Sequence, residues 1–455
     1  MSIFNALHNA YSYEDAFRAK DCTSQQMQSA IREWFRLYYQ REATEEADPC
    51  QQIAYTIVNK LTKTAFGEYS AASKDAFVQK VLDAINVCRK RAMQMALIGG
   101  EAWLRPVPAG DSFTVSVVSR DNTLIFGRDG LGRPVDVGVL EHTTEGNSYY
   151  TLLERRTVDA HGYLTIRNRL YCSETPDILG RPVPLKTLAR YDGLPEEYTY
   201  PDSLGGLGMA WLKTPLENCV DGSRDGVSIY APAVGLIHNI DRNEALLNGE
   251  FERGQSRIIA SADLLRQGRD GRRRLTDKLF VGIDDDPEAV GLTIFSPELR
   301  EQSFLARKQE YLRSAENIIG LKRGLLSEVE AAERTATEVT SSAGDYNLTI
   351  IDFQQMWESA VREAVQICGI LGRLYHVPDA HDVPEDAVAI DWGNGILYDE
   401  DKTWSEYMSM VSAGMLKPEI ALGWRFGMPT ETAADLAKIR EKYMPEAQQL
   451  ADGDE

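Results

Sequence analysis

Chemistry in this chain could come from its histidines, its glycine-rich turns, its close-set carboxylates or one run of arginines. A nucleotide site of the GxxxxGK[ST] type needs backbone amides to cradle the phosphates and a lysine to neutralise them. The two glycine-rich pieces, GRDGLGRP (127–134) and SLGGLG (203–208), carry no Lys-Ser or Lys-Thr pair and read as turns. Among the six histidines only His376 and His381 lie close together, in HVPDAHD with Asp379. Metal ligands want fixed spacing on a rigid element, and this pair falls in a proline-containing loop. Neither a GxSxG elbow nor an HExxH run occurs. Asp284-Asp285-Asp286 and Glu328 with Glu330 are groupings that an acidic chain produces by chance. No catalytic residue, metal ligand or cofactor is therefore assigned, and the chain does not read as an enzyme.

The arginines are different. Residues 256–278 hold Arg257, Arg266, Arg269, Arg272, Arg273, Arg274 and Lys278 against Asp263, Asp270 and Asp277, a local charge of +4. The whole chain has 69 acidic and 49 basic side chains, a net charge of −20. Such a run is either a solvated turn or a contact for an acidic partner or for phosphates. A protein that grips DNA is usually basic overall, so this one should repel DNA on average. The charge still suits one nucleic-acid role, a conduit that must not hold its cargo.

These residues are carried by 455 residues, 43% hydrophobic and 26% charged, enough for two to four structural units. No apolar run approaches the roughly 18 to 20 residues of a membrane span. The opening, MSIFNALHNAYSYEDAF, lacks the basic, apolar and small-residue pattern of a signal peptide, so assembly in the cytoplasm is expected. Cys22, Cys50, Cys88, Cys172, Cys219 and Cys368 are far apart and are expected to be free, buried thiols.

Helical periodicity marks 24–42 (Met27, Ile31, Trp34, Tyr38), 51–66 (Ile53, Ile57, Leu61, Thr64) and 74–98, which stops at Gly99-Gly100. The next hundred residues are β-rich and broken by Gly, Asp and Asn, predicting a meandering antiparallel sheet. Residues 196–222 look like a loop. A helix from Pro232 to Gly254 carries the stripe Leu236, Ile240, Leu247, Phe251. Residues 256–296 read as a small β-rich insertion. A second helix follows from Pro297 to Ile319, with Phe304, Tyr311, Ala315 and Ile318 on one face beside Leu305, Leu312 and Ile319. A polar stretch precedes a longer helix with Tyr346, Ile350, Phe353, Trp357, Ala360, Ala364, Ile367 and Leu371 at spacings of three and four. After the loop HVPDAHDVPEDA and the strand-like AVAIDWGNGILYD come two or three helices and an acidic tail, ADGDE.

This order of elements resembles the portal proteins of tailed bacteriophages, especially those of long-tailed phages of Gram-positive hosts. Local strings carry the resemblance. The Met27-Ile31-Trp34-Tyr38 helix is similar to the family's opening, and IVNKLTKTAFGE (57–68) to its second helix. Arg334-Thr335-Ala336-Thr337-Glu338-Val339 matches a TATEV-like string at the start of the family's long helix, and VSAGMLKPEIALGWRFGM (411–428) resembles its C-terminal helical hairpin.

The resemblance implies an α+β, portal-like fold: a mixed α/β wing (1–230, rejoined by 376–400), stem helices (231–255 and 297–321), a small β-containing clip (256–296), a tunnel loop (322–335), a long kinked helix (336–375) and an α-helical crown with the acidic tail (401–455). It implies a homo-oligomeric ring, commonly of twelve subunits, at one capsid vertex of the virion, assembled in the host cytoplasm. Its partners would be itself, the terminase packaging ATPase, a neck or adaptor protein, the major capsid and scaffold proteins, and double-stranded DNA passing non-specifically, with no membrane. Arg266, Arg269, Arg272, Arg273 and Arg274 would be clip contacts. Arg323, Glu328, Glu330, Glu333 and Arg334 would lie on a mobile loop facing the channel. Other ring-forming minor capsid or neck proteins are the alternative, though they are usually shorter and lack an insertion between long helices; an enzyme of unknown type is the third reading.

Overall fold

The computed structural model describes residues 13–39, 49–176, 178–253, 257–260, 265–267, 273–275, 292–295, 299–328, 336–393, 400–430 and 432–444. Two compact units make up the chain, Met1–Phe66 with Ala71–Ala389 and Gly67–Ser70 with Ile390–Glu455. The architecture is mixed α and β, with antiparallel sheets.

The first unit opens with α1 (Tyr13–Phe17), α2 (Gln25–Tyr39) and α3 (Ile53–Ala65). In α2 the spacing of Met27, Ile31 and Trp34 buries one face, and the Ser24 hydroxyl accepts the Met27 N–H at 3.1 Å to start the helix. After the short strand β1 (Ser70–Ala72), α4 (Ala76–Gly99) begins with the Asp75 carboxylate accepting the Val78 N–H at 3.0 Å. It ends at Gly100, whose φ of +81° and N–H bond to the Ala96 carbonyl at 2.8 Å close the last turn. A side chain at Gly100 would put its Cβ 2.2 Å from the Gly226 carbonyl carbon, so only glycine fits there.

The β-rich region forms two sheets. Strands β2 (Glu101–Ala109) and β3 (Ser112–Ser119) make a hairpin. Strands β4 (Thr123–Arg128), β5 (Pro134–Glu145), β6 (Ser148–Val158), β7 (Leu164–Ser173) and β8 (Arg181–Val183) form an antiparallel meander, with β9 (Glu197–Thr199) also pairing β7. Strand β10 (Ala210–Lys213) pairs with β2 on the side away from β3. The segment 196–222 therefore is not simply a loop: it supplies β9 and β10, both too short to show a period of two. GRDGLGRP is the β4–β5 turn, tied by the Asp129 carboxylate to the Leu131 and Arg133 N–H groups at 2.8 Å each.

Next come α5 (Val234–Arg253), four short strands among the described residues, α6 (Glu301–Ile319) and α7 (Ala336–Leu374). The strands β11 (Arg257–Ala260), β12 (Leu265–Gln267), β13 (Arg273–Leu275) and β14 (Leu292–Phe295) pair as β11 with β14 and β12 with β13, both antiparallel, one pair nested within the other in sequence. All eight apolar positions read along α7, from Tyr346 to Leu371, are buried. Val361, Val365 and Cys368 are buried as well, so this part of the helix has a wide apolar face, packed against α3, α4, β2 and β10, with Asp352, Gln355, Ser359 and Arg362 on the opposite side. Full burial of Ile350, Phe353 and Trp357 contributes on the order of 2–3 kcal/mol each.

Three sequence expectations change. The buried stripe of α5 is Ile237, Ile240 and Leu247, while Phe251 is exposed; on α6 it is Leu312, Ala315 and Ile319, while Ile318 and Leu305 are exposed. Among the free cysteines only Cys368 is buried, and Cys22 and Cys219 are exposed.

The second unit contains α8 (Glu400–Ser412), α9 (Pro418–Arg425) and α10 (Ala433–Tyr443), preceded by β15 (Ala389–Asp391) at its start. Pro418 opens α9 and Thr432 caps α10, its hydroxyl accepting the Asp435 N–H at 3.2 Å. Arg440 donates to Glu419 at 2.7 Å through Nε, and Phe426 stacks on Tyr443 with ring centroids 4.3 Å apart.

Candidate functional site

The helix pair α5–α6 is the feature that sets this chain apart. Arg300 holds Glu250 through two bonds of 3.0 and 2.8 Å, Lys308 meets Glu244 at 2.9 Å, and the Asn243 amide donates to the Phe304 carbonyl at 3.0 Å. The partners run in opposite directions along the two helices, so α5 and α6 are antiparallel. Each is about 30 Å long at 1.5 Å per residue. At the end nearer Tyr230 the pair is anchored in the unit: Ile237 and Ile240 are buried, and the Asp241 carboxylate accepts the Gln51 N–H at 2.8 Å. His238 meets Glu33 at 2.8 Å. Glu33 is held below the usual carboxylate range, chiefly by its hydrogen bond from Arg36, with His238 adding to it.

Towards the other end the pair loses cover. Leu246, Phe251, Leu299 and Leu305 are 47%, 42%, 40% and 44% exposed. Leu246 and Phe251 on α5, Leu305 on α6 and Leu299 just before it are thus large apolar side chains left about half in water. The insertion follows directly. Its ladder places Arg266 opposite Arg274 and Gln267 opposite Arg273; Arg269 and Arg272 lie outside the described residues.

At its C-terminal end α6 runs into a turn built around one carboxylate. Gly320, at φ +75°, ends the helix, and the Leu321 N–H returns to the Glu316 carbonyl at 2.8 Å. The Glu316 side chain, 2% exposed, then accepts from the Gly324 N–H at 3.2 Å, the Leu326 N–H, the Ser327 N–H at 2.9 Å and the Ser327 hydroxyl at 2.7 Å. Lys60 of α3 donates to the Leu325 carbonyl, and Gln309 accepts the Glu328 N–H at 2.8 Å. The expected mobile loop over 322–335 therefore needs correction in its first part: residues 322–328 are tied to α6 and α3. Arg323 and Glu328 lie on this turn and are exposed, whereas Glu330, Glu333 and Arg334 lie outside the described residues. Beside the turn a hollow of about 450 Å³ is lined by Glu310, Arg313, Asn317 and Arg323 among others.

Sequence reasoning missed Glu316. A signal existed: it falls four residues after Leu312 and three before Ile319, on the face that the apolar residues bury. A carboxylate there must find donors.

His381 pairs with Asp75 at 3.1 Å and packs on Phe77, while His376 is exposed; among the described residues no group of His, Cys, Asp and Glu is arranged to hold a metal ion. No helix among them is long and apolar enough to cross a membrane. Buried charges pair with one another. Glu101, fully buried, binds Arg128 at 3.0 Å, and Arg128 also pairs with Asp225. Together they fasten the segment leading into α5.

No protein-family profile and no curated protein matches the sequence. Solved structures do show a likeness. One, described as the neck of a native GTA particle computed with C12 symmetry, aligns with a TM-score of 0.47 and 13% identity over 90% of this chain and 96% of its own. Another, the neck of an empty GTA particle computed with C6 symmetry, aligns with a TM-score of 0.46 and 13% identity over 91% and 97%.

Proposed function

We propose that this chain is a portal subunit of a tailed bacteriophage, one copy of a homo-oligomeric ring through which DNA enters and leaves the capsid. The observation that carries the reading is the α5–α6 pair. Two antiparallel helices of about 30 Å, joined through a β-containing insertion, leave Leu246, Phe251, Leu299 and Leu305 uncovered. Copies arranged around an axis cover such faces, because each presents one side of its pair to the next and the rotation closes. In this reading α5 and α6 are the stem and the strands between them the clip. The clip's arginines meet the packaging ATPase first and the neck of the tail later. The segment after α6 faces the channel, and the long helix α7 fastens it to the wing.

The charge fits a conduit. A net charge of −20 per chain, repeated around a ring, repels phosphate and lets DNA slide, whereas a basic lining would hold it through released counterions. Glu328, Glu330 and Glu333 would form acidic rings beside Arg323 and Arg334. The protein itself hydrolyses nothing.

The test is the solution mass under assembly conditions, with negative-stain images. Twelve chains of 50.9 kDa give a ring of about 610 kDa with a central hole. A mass of one or two chains refutes the reading.

A further inference from the structure

Strands β6 and β7 carry a concentration of positive charge on the face where α1 packs. Arg155 stands directly opposite Arg167 in the ladder, and Arg169 lies two residues further along β7, opposite Leu153. Arg18, just after α1, completes the group: Arg18, Arg155, Arg167 and Arg169 line one hollow of about 430 Å³, where Glu197 is the one acidic lining residue. Like charges set directly across a ladder destabilise it unless something answers them.

The answer inside the chain is partial. Arg155 is the most engaged, with a bond at each nitrogen: its Nε and Nη2 donate to the two Asp136 oxygens at 3.0 and 2.7 Å, and its Nη1 to the Phe17 carbonyl at 3.0 Å. Arg167 gives one N–H to Glu197 at 3.1 Å, with both side chains more than half exposed. Arg169 gives one N–H to the Ala16 carbonyl at 3.2 Å. Arg18 is exposed; its backbone N–H donates to the Asp15 carbonyl at 3.2 Å, while its guanidinium makes no hydrogen bond or ion pair with another described residue. Its backbone takes φ +53°, a left-handed conformation that residues other than Gly, Asn and Asp seldom adopt. A guanidinium has five N–H donors, so all four groups keep donors to spare, Arg18, Arg167 and Arg169 most of theirs.

We infer that this hollow is a binding site for a phosphate-type oxyanion. Planar guanidinium forks match the oxygens of such a group, and their charge-assisted bonds are the strong ones. The hollow is roomy enough to admit a phosphate or pyrophosphate. A duplex laid across the site would face the rest of a strongly acidic chain within a Debye length of about 10 Å, which favours a small anion over a nucleic-acid backbone as the source.

The experiment titrates the assembled full-length protein with sodium pyrophosphate at low ionic strength, by calorimetry and phosphorus NMR. A parallel arm uses a DNA duplex of about 20 base pairs as competitor. Arg18→Gly, which suits the left-handed backbone, removes the unpaired cation; Arg18→Lys restores charge without the fork; Arg32→Gln, at an exposed position on α2, controls for general basicity. Saturable binding of one anion per chain is expected. It should weaken roughly tenfold or more in Arg18→Gly, recover in part in Arg18→Lys, and be unchanged in Arg32→Gln. Displacement by duplex upholds the oxyanion site and assigns nucleic acid as its source. Unsaturable binding, equal affinity of wild type and Arg18→Gly, or tighter binding of polyglutamate than of pyrophosphate overturns the inference.

Discussion

Replacing Glu316 by alanine removes the acceptor for three backbone N–H groups and one hydroxyl at once. A hydrogen bond to a charged acceptor is worth roughly 1.5–3 kcal/mol, and leaving a buried donor unpaired costs a similar amount. Because the four bonds share one carboxylate they do not add, so the expected loss in local stability is about 3–4 kcal/mol. At about 1.4 kcal/mol per decade, the Leu326 and Ser327 amides should exchange with solvent two to three orders of magnitude faster. Glu316→Gln keeps one acceptor oxygen and should give about one order. Hydrogen–deuterium exchange read on peptides spanning 320–328 measures this directly, and tryptic cleavage after the exposed Lys322 and Arg323 should accelerate in parallel. Exchange in α7 and in the β5–β7 sheet should stay unchanged, since their cores do not touch this carboxylate. Unaltered exchange at 324–327 in Glu316→Ala, or equal loss of protection throughout the unit, would refute the claim that one side chain holds the turn.

Leu246→Glu with Leu305→Glu should leave the subunit folded, because both positions are nearly half exposed, but lower the mass seen by light scattering from ring to monomer; an intact ring contradicts the stem assignment. Changing Arg272, Arg273 and Arg274 to Ser should leave rings intact and weaken attachment of the packaging ATPase or the neck, measured by packaging and tail-joining assays. Glu328, Glu330 and Glu333 changed together to Lys should leave normal rings that package or retain DNA poorly, with the defect easing as salt rises. Glu154 is acid-sensitive: burial raises its pKa, but Arg156 and then Arg105 outweigh burial and hold it below the usual 4.5. Its stabilisation is therefore present above about pH 4.5 and lost as pH falls through the lower folded value. Glu154→Gln should cost about 3 kcal/mol near neutrality, with the gap in melting temperature to wild type closing in acid.

How much was legible in advance depended on the range of the interactions. The helices α2, α3, α4, α5, α6 and α7 were readable to within a few residues. Their signal is local: a 3.6-residue period, Pro232 at a start and Gly99-Gly100 at an end. The α7 face from Tyr346 to Leu371 was correct at every position, since a helix central to a core has no other way to place its apolar side chains. The β-rich character of 101–200 was equally plain from composition. Pairing was not: β10 joins β2 across a hundred residues, and four residues carry too little pattern to say so. On α5 the sequence reading placed the stripe on Leu236 and Phe251, and on α6 it offered two adjacent faces; tertiary packing buried Ile237 and Leu312 and left Phe251 and Ile318 exposed. Glu316 stood in plain view, yet its role needed the turn's own N–H groups brought back to α6. The Arg18, Arg155, Arg167 and Arg169 hollow gathers residues up to about 150 positions apart through α1 packing on two strands, a distance that no local pattern spans. Residue type and spacing determine which segments fold and which face is apolar. Where several faces or partners satisfy the same pattern, the choice belongs to close packing and to the pairing of every buried polar group, which exist only once the chain is assembled.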